Sequence, residues 1–172
     1  MAPPHELSRA HFEALYVRLE KPVFNVVYRW LWNTEEARDV TQEAFVKLWD
    51  ARRRVRVETV EPLIFRSALN LAANRLRARK VRRLFSLGAT EEAHASPHDS
   101  LEQQQRHRAV RQAVEALPAK LRSVVMLCEF SGLSTAEIAQ ALEIPPGTVG
   151  SRRSLAMAAL ERALGPLHEE VS

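Results

Sequence analysis

A chain of 172 residues and 19.5 kDa has room for one compact domain or two small ones. Apolar residues make up 46%, enough for a buried core, which excludes wholesale disorder. The formal charge of +4 is unevenly placed: residues 1–83 carry 17 bases and 10 acids, residues 84–103 four acids and no base, and residues 104–172 eight bases and seven acids. A basic first half, an acidic middle and a near-neutral end imply two units joined by a linker, with a polyanion as partner of the first. The single cysteine, Cys128, excludes an intrachain disulfide and a thiolate metal cluster. The first six residues have neither the basic nor the apolar segment of a secretion signal. No apolar run approaches the roughly 20 residues needed to cross a bilayer. A soluble, cytoplasmic protein is expected.

Helical spacing dominates from the start. Phe12, Leu15, Tyr16 and Leu19 fall at i, i+3, i+4 and i+7, and Val23, Val26, Val27, Trp30 and Leu31 repeat the pattern, with Pro22 tolerated in a first turn. Asn33 is placed to cap a third helix, answered by Glu36. That helix runs to about Asp50 and buries Ala37, Val40, Ala44, Phe45 and Leu48. Residues 51–61 break the period and form a basic loop. Pro62 opens a fourth helix to about Arg83, with Ile64, Phe65, Ala68, Leu71, Ala72 and Leu76 inward, and four such helices make a small bundle. Residues 86–100 are small, polar and acidic, with a Gly and a Pro, as a flexible linker requires. Helical spacing resumes with Val110, Ala113, Val114 and Leu117, stops at Pro118, and returns with Leu121, Val124, Val125 and Cys128 as far as Gly132. Ser134 to Glu137 is a capping box that starts a further helix burying Ile138 and Leu142. Residues 143–147 turn the chain, and a last helix runs from about Thr148 to Leu164. The expected fold is all-α. Two small helical domains (1–85 and 104–172) flank a flexible acidic linker (86–103), and the second carries a helix-turn-helix of the DNA-reading kind.

Catalysis finds little support. The histidines at 5, 11, 94, 98, 107 and 168 fall in termini, linker or exposed helix positions. His94 and His98 have metal-ligand spacing only if the linker were helical, so no metal and no cofactor is expected. Cys128 lies on an apolar stripe with no base placed to lower its pKa, and reads as a small buried hydrophobe. No Gly-rich phosphate loop occurs.

Charge patterning is more informative. Glu36, Asp39, Glu43 and Asp50 share one face of the third helix, about 130° from its core stripe by the 3.6-residue period, with Gln42 and Lys47 at its border. Inside an otherwise basic half, such a face suits docking on a basic protein surface. Arg66, Asn70, Asn74 and Arg77 form a polar stripe on the fourth helix at i, i+4, i+8 and i+11. With Arg52, Arg53, Arg54 and Arg56 in the preceding loop they make a continuous basic surface. Lys and Arg neutralise phosphates there, and Asn amides are able to read base edges.

The order of these pieces resembles bacterial sigma factors. Residues 37–49, with Asp39 ahead of Thr41-Gln42-Glu43, Phe45, Lys47 and Trp49, resemble the family's core-polymerase-binding segment. Residues 63–77 resemble its promoter-melting helix, and residues 116–127, beginning Ala116-Leu117-Pro118, the entry to its second domain. Residues 132–152 resemble its helix-turn-helix. With only two family domains, the chain is similar to the extracytoplasmic-function class. The resemblance implies an alternative sigma factor without catalytic activity. Its implied partners are core RNA polymerase, through the clamp helices of the largest subunit and the flap, promoter DNA, and a cognate anti-sigma factor. No membrane contact by the chain itself is implied. Carried over, Asp39, Gln42, Glu43 and Lys47 bind polymerase. Arg52, Arg53, Arg54, Arg56, Arg66, Asn70, Asn74 and Arg77 serve the −10 element, with a base captured in the loop 51–61. Thr148, Ser151, Arg152, Ser154 and Leu155 face the −35 element. A helix-turn-helix repressor or activator working without polymerase is the alternative; it leaves residues 36–61 unexplained.

The last helix departs from the family pattern. A wheel of residues 148–162 turns Val149, Arg153, Ala156 and Leu160 inward, although the family usually has an apolar residue at the Arg153 place. Gly147, Gly150, Ser151, Ser154, Leu155 and Ala158 face outward, where relatives often carry bases. Glu143 stands where glycine is usual. Few phosphate-binding charges are expected on this helix.

Overall fold

A computed structural model describes residues 7–85 and 100–165. Helix α1, Arg9–Leu31, is capped by Ser8, whose hydroxyl accepts from the His11 amide at 3.2 Å. It is one continuous helix, not the two expected from the spacing. Pro22 lies inside it and removes one backbone donor. The apolar stripe nevertheless runs straight through the proline: Leu15, Leu19, Val23, Val26, Val27 and Trp30 are all buried. Each such side chain contributes roughly 1.5–3 kcal/mol of burial, which outweighs one lost hydrogen bond. The first domain is therefore three long helices rather than four.

Trp32, in the left-handed region at φ 53°, ends α1, and its amide returns to the Tyr28 carbonyl. Asn33 then caps α2, Thr34–Asp50, accepting from the Glu36 amide at 2.9 Å as expected. Residues 51–54 turn, Val55 plugs into the core, and one 3-10 turn at Val57–Thr59 leads into α3, Val60–Phe85. This helix starts two residues before Pro62, which its first turn tolerates. Helices α1, α2 and α3 pack pairwise around Phe45, Ile64, Phe65 and Ala68.

Ser100 opens α4, Leu101–Ala116, with a capping box to Gln103. Helices α5, Ala119–Phe130, α6, Thr135–Leu142, and α7, Pro146–Leu164, complete the chain. The expected Ser134–Glu137 capping box is present in both directions. Glu143, at φ 54°, turns the chain between α6 and α7. Helix α7 starts at Pro146, two residues earlier than the spacing predicted, because proline is pre-shaped for a first helical position. Among the described residues no strand occurs. The acidic linker, apart from its last residues at the start of α4, lies outside the described residues, as do His5, His94, His98 and His168.

The two domains touch. Helix α3 packs on α6 and α1 on α5. The Arg29 guanidinium lies 3.8 Å from the centre of the Phe130 ring, and that of Arg122 lies 4.9 Å from Trp30. Such contacts contribute on the order of 1 kcal/mol each.

Candidate nucleic-acid interface

Three surfaces carry the residues singled out by sequence. On α2, Asp39, Gln42 and Lys47 are exposed, and Asp39 and Gln42 have no partner among the described residues. Glu43 is half-buried, forms an ion pair with Lys47 at 3.2 Å and accepts from Arg75 at 3.4 Å. Glu36 leaves the exposed face altogether: both its carboxylate oxygens are held by the buried Arg79, which also donates to the Leu31 carbonyl. The free part of the acidic stripe is thus Asp39 and Asp50, with Glu43 tethered between them. Beside this face a cavity of about 580 Å³ opens between α1 and α2, lined by Phe12, Tyr16, Gln42, Phe45, Val46 and Trp49. Its rings contact one another, Phe12 to Trp49 at 5.0 Å and Tyr16 to Phe45 at 4.8 Å. The spacing identified Phe12, Tyr16 and Phe45 as core but gave no signal that Phe12 and Tyr16 stay partly open.

The second surface is basic. Arg52 donates to the Trp49 carbonyl at 2.9 Å and lies 4.3 Å from the centre of that ring, which stiffens the start of the loop. Arg53 and Arg54 are exposed, and Arg56 sits 3.7 Å from Glu58. Along α3, Asn70, Asn74 and Arg77 face solvent, Arg77 donating to the Asn74 amide oxygen. Arg66 does not. It reaches across to the second domain and donates to the carbonyls of Ala141, at 2.9 Å, and Gln140, at 2.5 Å, and to the Glu143 carboxylate at 3.0 Å. Those carbonyls end α6, where a cation is favoured by the helix dipole. The stripe is contiguous, but its first member is engaged by the helix-turn-helix in this arrangement.

The third surface is α7. Val149 and Ala156 are buried, and Leu160 packs partly against the core. Arg153, expected inward, is exposed and pairs with Glu129 at 2.8 Å, since a guanidinium at the edge of the stripe can turn to a carboxylate on α5. Ser151, Ser154 and Leu155 face outward, and Arg152 and Thr148 are half-buried. The helix start is a poor phosphate cradle: Pro145 and Pro146 have no N–H, and the Thr148 amide already donates to the Pro145 carbonyl at 2.9 Å. Cys128 is half-buried, and burial raises its thiol pKa, which suits packing and not a nucleophile. Among the described residues there is no group of three or more potential metal ligands, and no helix is long and apolar enough to cross a membrane.

A three-helix unit with an acidic and a basic face, followed by a helix-turn-helix unit, defines a DNA-directed regulator of transcription. The family description "Sigma-70 region 2" matches residues 15–82 and "Sigma-70, region 4" residues 107–160. The RNA polymerase sigma-H factor of Pseudomonas aeruginosa is 33% identical over 171 residues, spanning 92% of this chain and 89% of that protein. The ECF RNA polymerase sigma-E factor of Escherichia coli K12 is 30% identical over 168 residues, spanning 91% and 87%. The same fold occurs in the sigma factor RpoE in complex with the anti-sigma factor NepR from Bartonella quintana. That chain superposes with a TM-score of 0.70 at 22% identity, over 90% of this chain and 96% of the other. CnrH, in complex with the cytosolic domain of CnrY, gives 0.69 at 22%, over 96% and 92%. The chain belongs to the sigma-70 family. It is an alternative sigma factor of the extracytoplasmic-function class, directing transcription initiation with RNA polymerase.

Proposed function

We propose that the chain works in the cytoplasm as two readers carried by polymerase, with no chemistry of its own. The observation that carries this reading is an open acidic and amide face on α2 that adjoins, through the Glu43–Arg75 pair, a basic surface on α3. One suits a protein, the other a nucleic acid. Asp39, Gln42, Glu43 and Lys47 dock on the clamp helices of the polymerase largest subunit. Arg52, Arg53, Arg54, Arg56, Asn70, Asn74 and Arg77 hold the −10 strand, and Arg66 joins them once α6 releases it. Thr148, Ser151, Arg152, Ser154 and Leu155 lie against the −35 element, and the second domain (104–172) contacts the flap. The RpoE neighbour was captured with the anti-sigma factor NepR, and the CnrH neighbour with the cytosolic domain of CnrY. A cognate anti-sigma factor is the corresponding partner here. Domain limits of 1–85 and 104–172, with 86–103 between, follow from the charge pattern. Run-off transcription with purified core polymerase tests the reading: promoter-specific transcripts are expected only when chain and core are combined. Tight promoter binding by the chain alone, with no effect on core polymerase, would instead assign it to the repressors or activators.

A further inference from the structure

A second cavity, of about 630 Å³, lies where the domains meet, between the C-terminal half of α3 and helices α4 and α5. Arg77, Arg79, Lys80 and Arg83 line one wall, and Arg111 and Arg122 the other, against a single carboxylate, Glu115. That carboxylate is taken by Arg111 at 2.9 Å, and Arg79 is taken by Glu36. Arg77 bonds to an amide, and Lys80 has no ion-pair partner among the described residues. Arg122 donates to the carbonyls of Glu115 and Leu117. Arg77, Lys80 and Arg122 therefore have no carboxylate partner among the described residues.

The back of the cleft is unsatisfied as well. Trp30 lines it, is only 4% exposed, and its indole N–H has no acceptor among the described residues. The Nε of Arg122, whose guanidinium lies against that indole, is buried and without an acceptor too. A buried donor left unpaired costs on the order of 1–3 kcal/mol. Two of them side by side, behind a wall of bases, describe a place for an acceptor that also carries negative charge. Burial lowers the Arg122 pKa, and the charge of Glu115 only partly opposes it. The volume falls within the usual range for a small-molecule site, about 300–1,000 Å³, and exceeds what one phosphate fills. Ala73, Leu76 and Ala119 add an apolar strip along it.

We propose that this cleft is a binding site for a polyphosphate group, free or carried by a nucleotide, whose oxygens accept from the Trp30 indole and the Arg122 guanidinium while Lys80 and Arg77 neutralise its outer charge. Because its walls come from both domains, the bound anion bridges them and holds the arrangement in which Arg66 is occupied by α6. The test uses the full chain at fixed ionic strength, titrated with sodium tripolyphosphate and separately with ATP, followed by unfolding temperature and tryptophan fluorescence. A saturable rise in unfolding temperature is expected. Lys80→Glu, an exposed change, should weaken binding at least tenfold, and Trp30→Phe, which keeps an aromatic ring of smaller size and removes the donor, by a similar factor. Equal responses to the two probes assign recognition to the phosphates alone; a tighter response to ATP adds the apolar strip to the site. An unfolding temperature that follows ionic strength only, or binding undiminished in Lys80→Glu, overturns the proposal. So does a Lys80→Glu defect confined to single-stranded DNA, which would leave these bases to nucleic acid.

Discussion

Arg79 shows how one arginine can serve structure while its neighbours on the same helix stay open to solvent. Sequence groups it with Arg75, Lys80, Arg82 and Arg83 as charge at the end of α3, yet it is 8% exposed and spans three elements by bonding Glu36 and the Leu31 carbonyl. Breaking a fully buried pair costs about 3–5 kcal/mol. Glu36 keeps some contact with water, so Arg79→Ala is expected to cost roughly 2–3 kcal/mol by urea unfolding, against less than about 0.5 kcal/mol for Asp39→Ala on the open face. Equal small losses would show that Arg79 is a solvated charge after all. Glu143 makes the opposite point. Its position was legible in sequence as the place where the family usually has glycine, and the reason is visible in its φ of 54°. A left-handed non-glycine residue costs on the order of 1 kcal/mol, and here its carboxylate partners Arg66.

At the scale of elements, the proposed division of labour between α2 and α3 rests on local charge and amide patterning. The caps of α2 and α6 were readable because Asn and Ser side chains satisfy first-turn amides in a fixed register, a wholly local effect, whereas Ser100, which caps α4, was read as linker. The continuity of α1 through Pro22 was not, because local rules count the lost donor but not the stripe that the helix buries on both sides of it. The same limit hid the role of Glu36, since its partner lies 43 residues away. Asp39→Arg puts a base on the open face without touching any bond in the fold. It is expected to lower core-polymerase affinity tenfold or more with helix content unchanged, and affinity within twofold of the parent would remove α2 from the docking surface. On the other side, Asn70 and Asn74 project amides from α3, while Arg54 projects charge from the loop. Alanine at Asn70 or Asn74 should change base preference at the −10 element. Arg54→Ala should weaken binding across all sequences and reduce the salt slope by about one. Matching sequence profiles for the two kinds of variant would mean that the asparagines are not readers.

The whole molecule adds what neither domain carries alone. Both domains and their order were legible, because helical periods and charge blocks are local in sequence. Their contact was not: Arg66, assigned to DNA from its place in the α3 stripe, spends its donors on α6. In this arrangement the free chain presents the proposed −10 surface incomplete and the proposed −35 surface weakly charged. Outward Ser151, Ser154 and Leu155 offer two hydroxyls and an apolar contact, and the prolines at the start of α7 remove donors that a phosphate would use. Promoter affinity should then come largely from tethering both domains to one polymerase, which raises the effective concentration of the second site without new contacts. Gly150 provides the test. It is exposed, helical, and has open space where a Cβ would stand, so a side chain there meets nothing in the fold. Gly150→Lys should stabilise α7 by up to about 1 kcal/mol through helix propensity and add one phosphate contact, steepening the salt slope by about one unit. Fluorescence anisotropy of the full chain on −35 duplexes at two salt concentrations should show weak binding by the parent and tighter, more salt-sensitive binding by the variant. Tight, steeply salt-dependent binding by the parent, unchanged in Gly150→Lys, would place the DNA-facing surface elsewhere on the second domain.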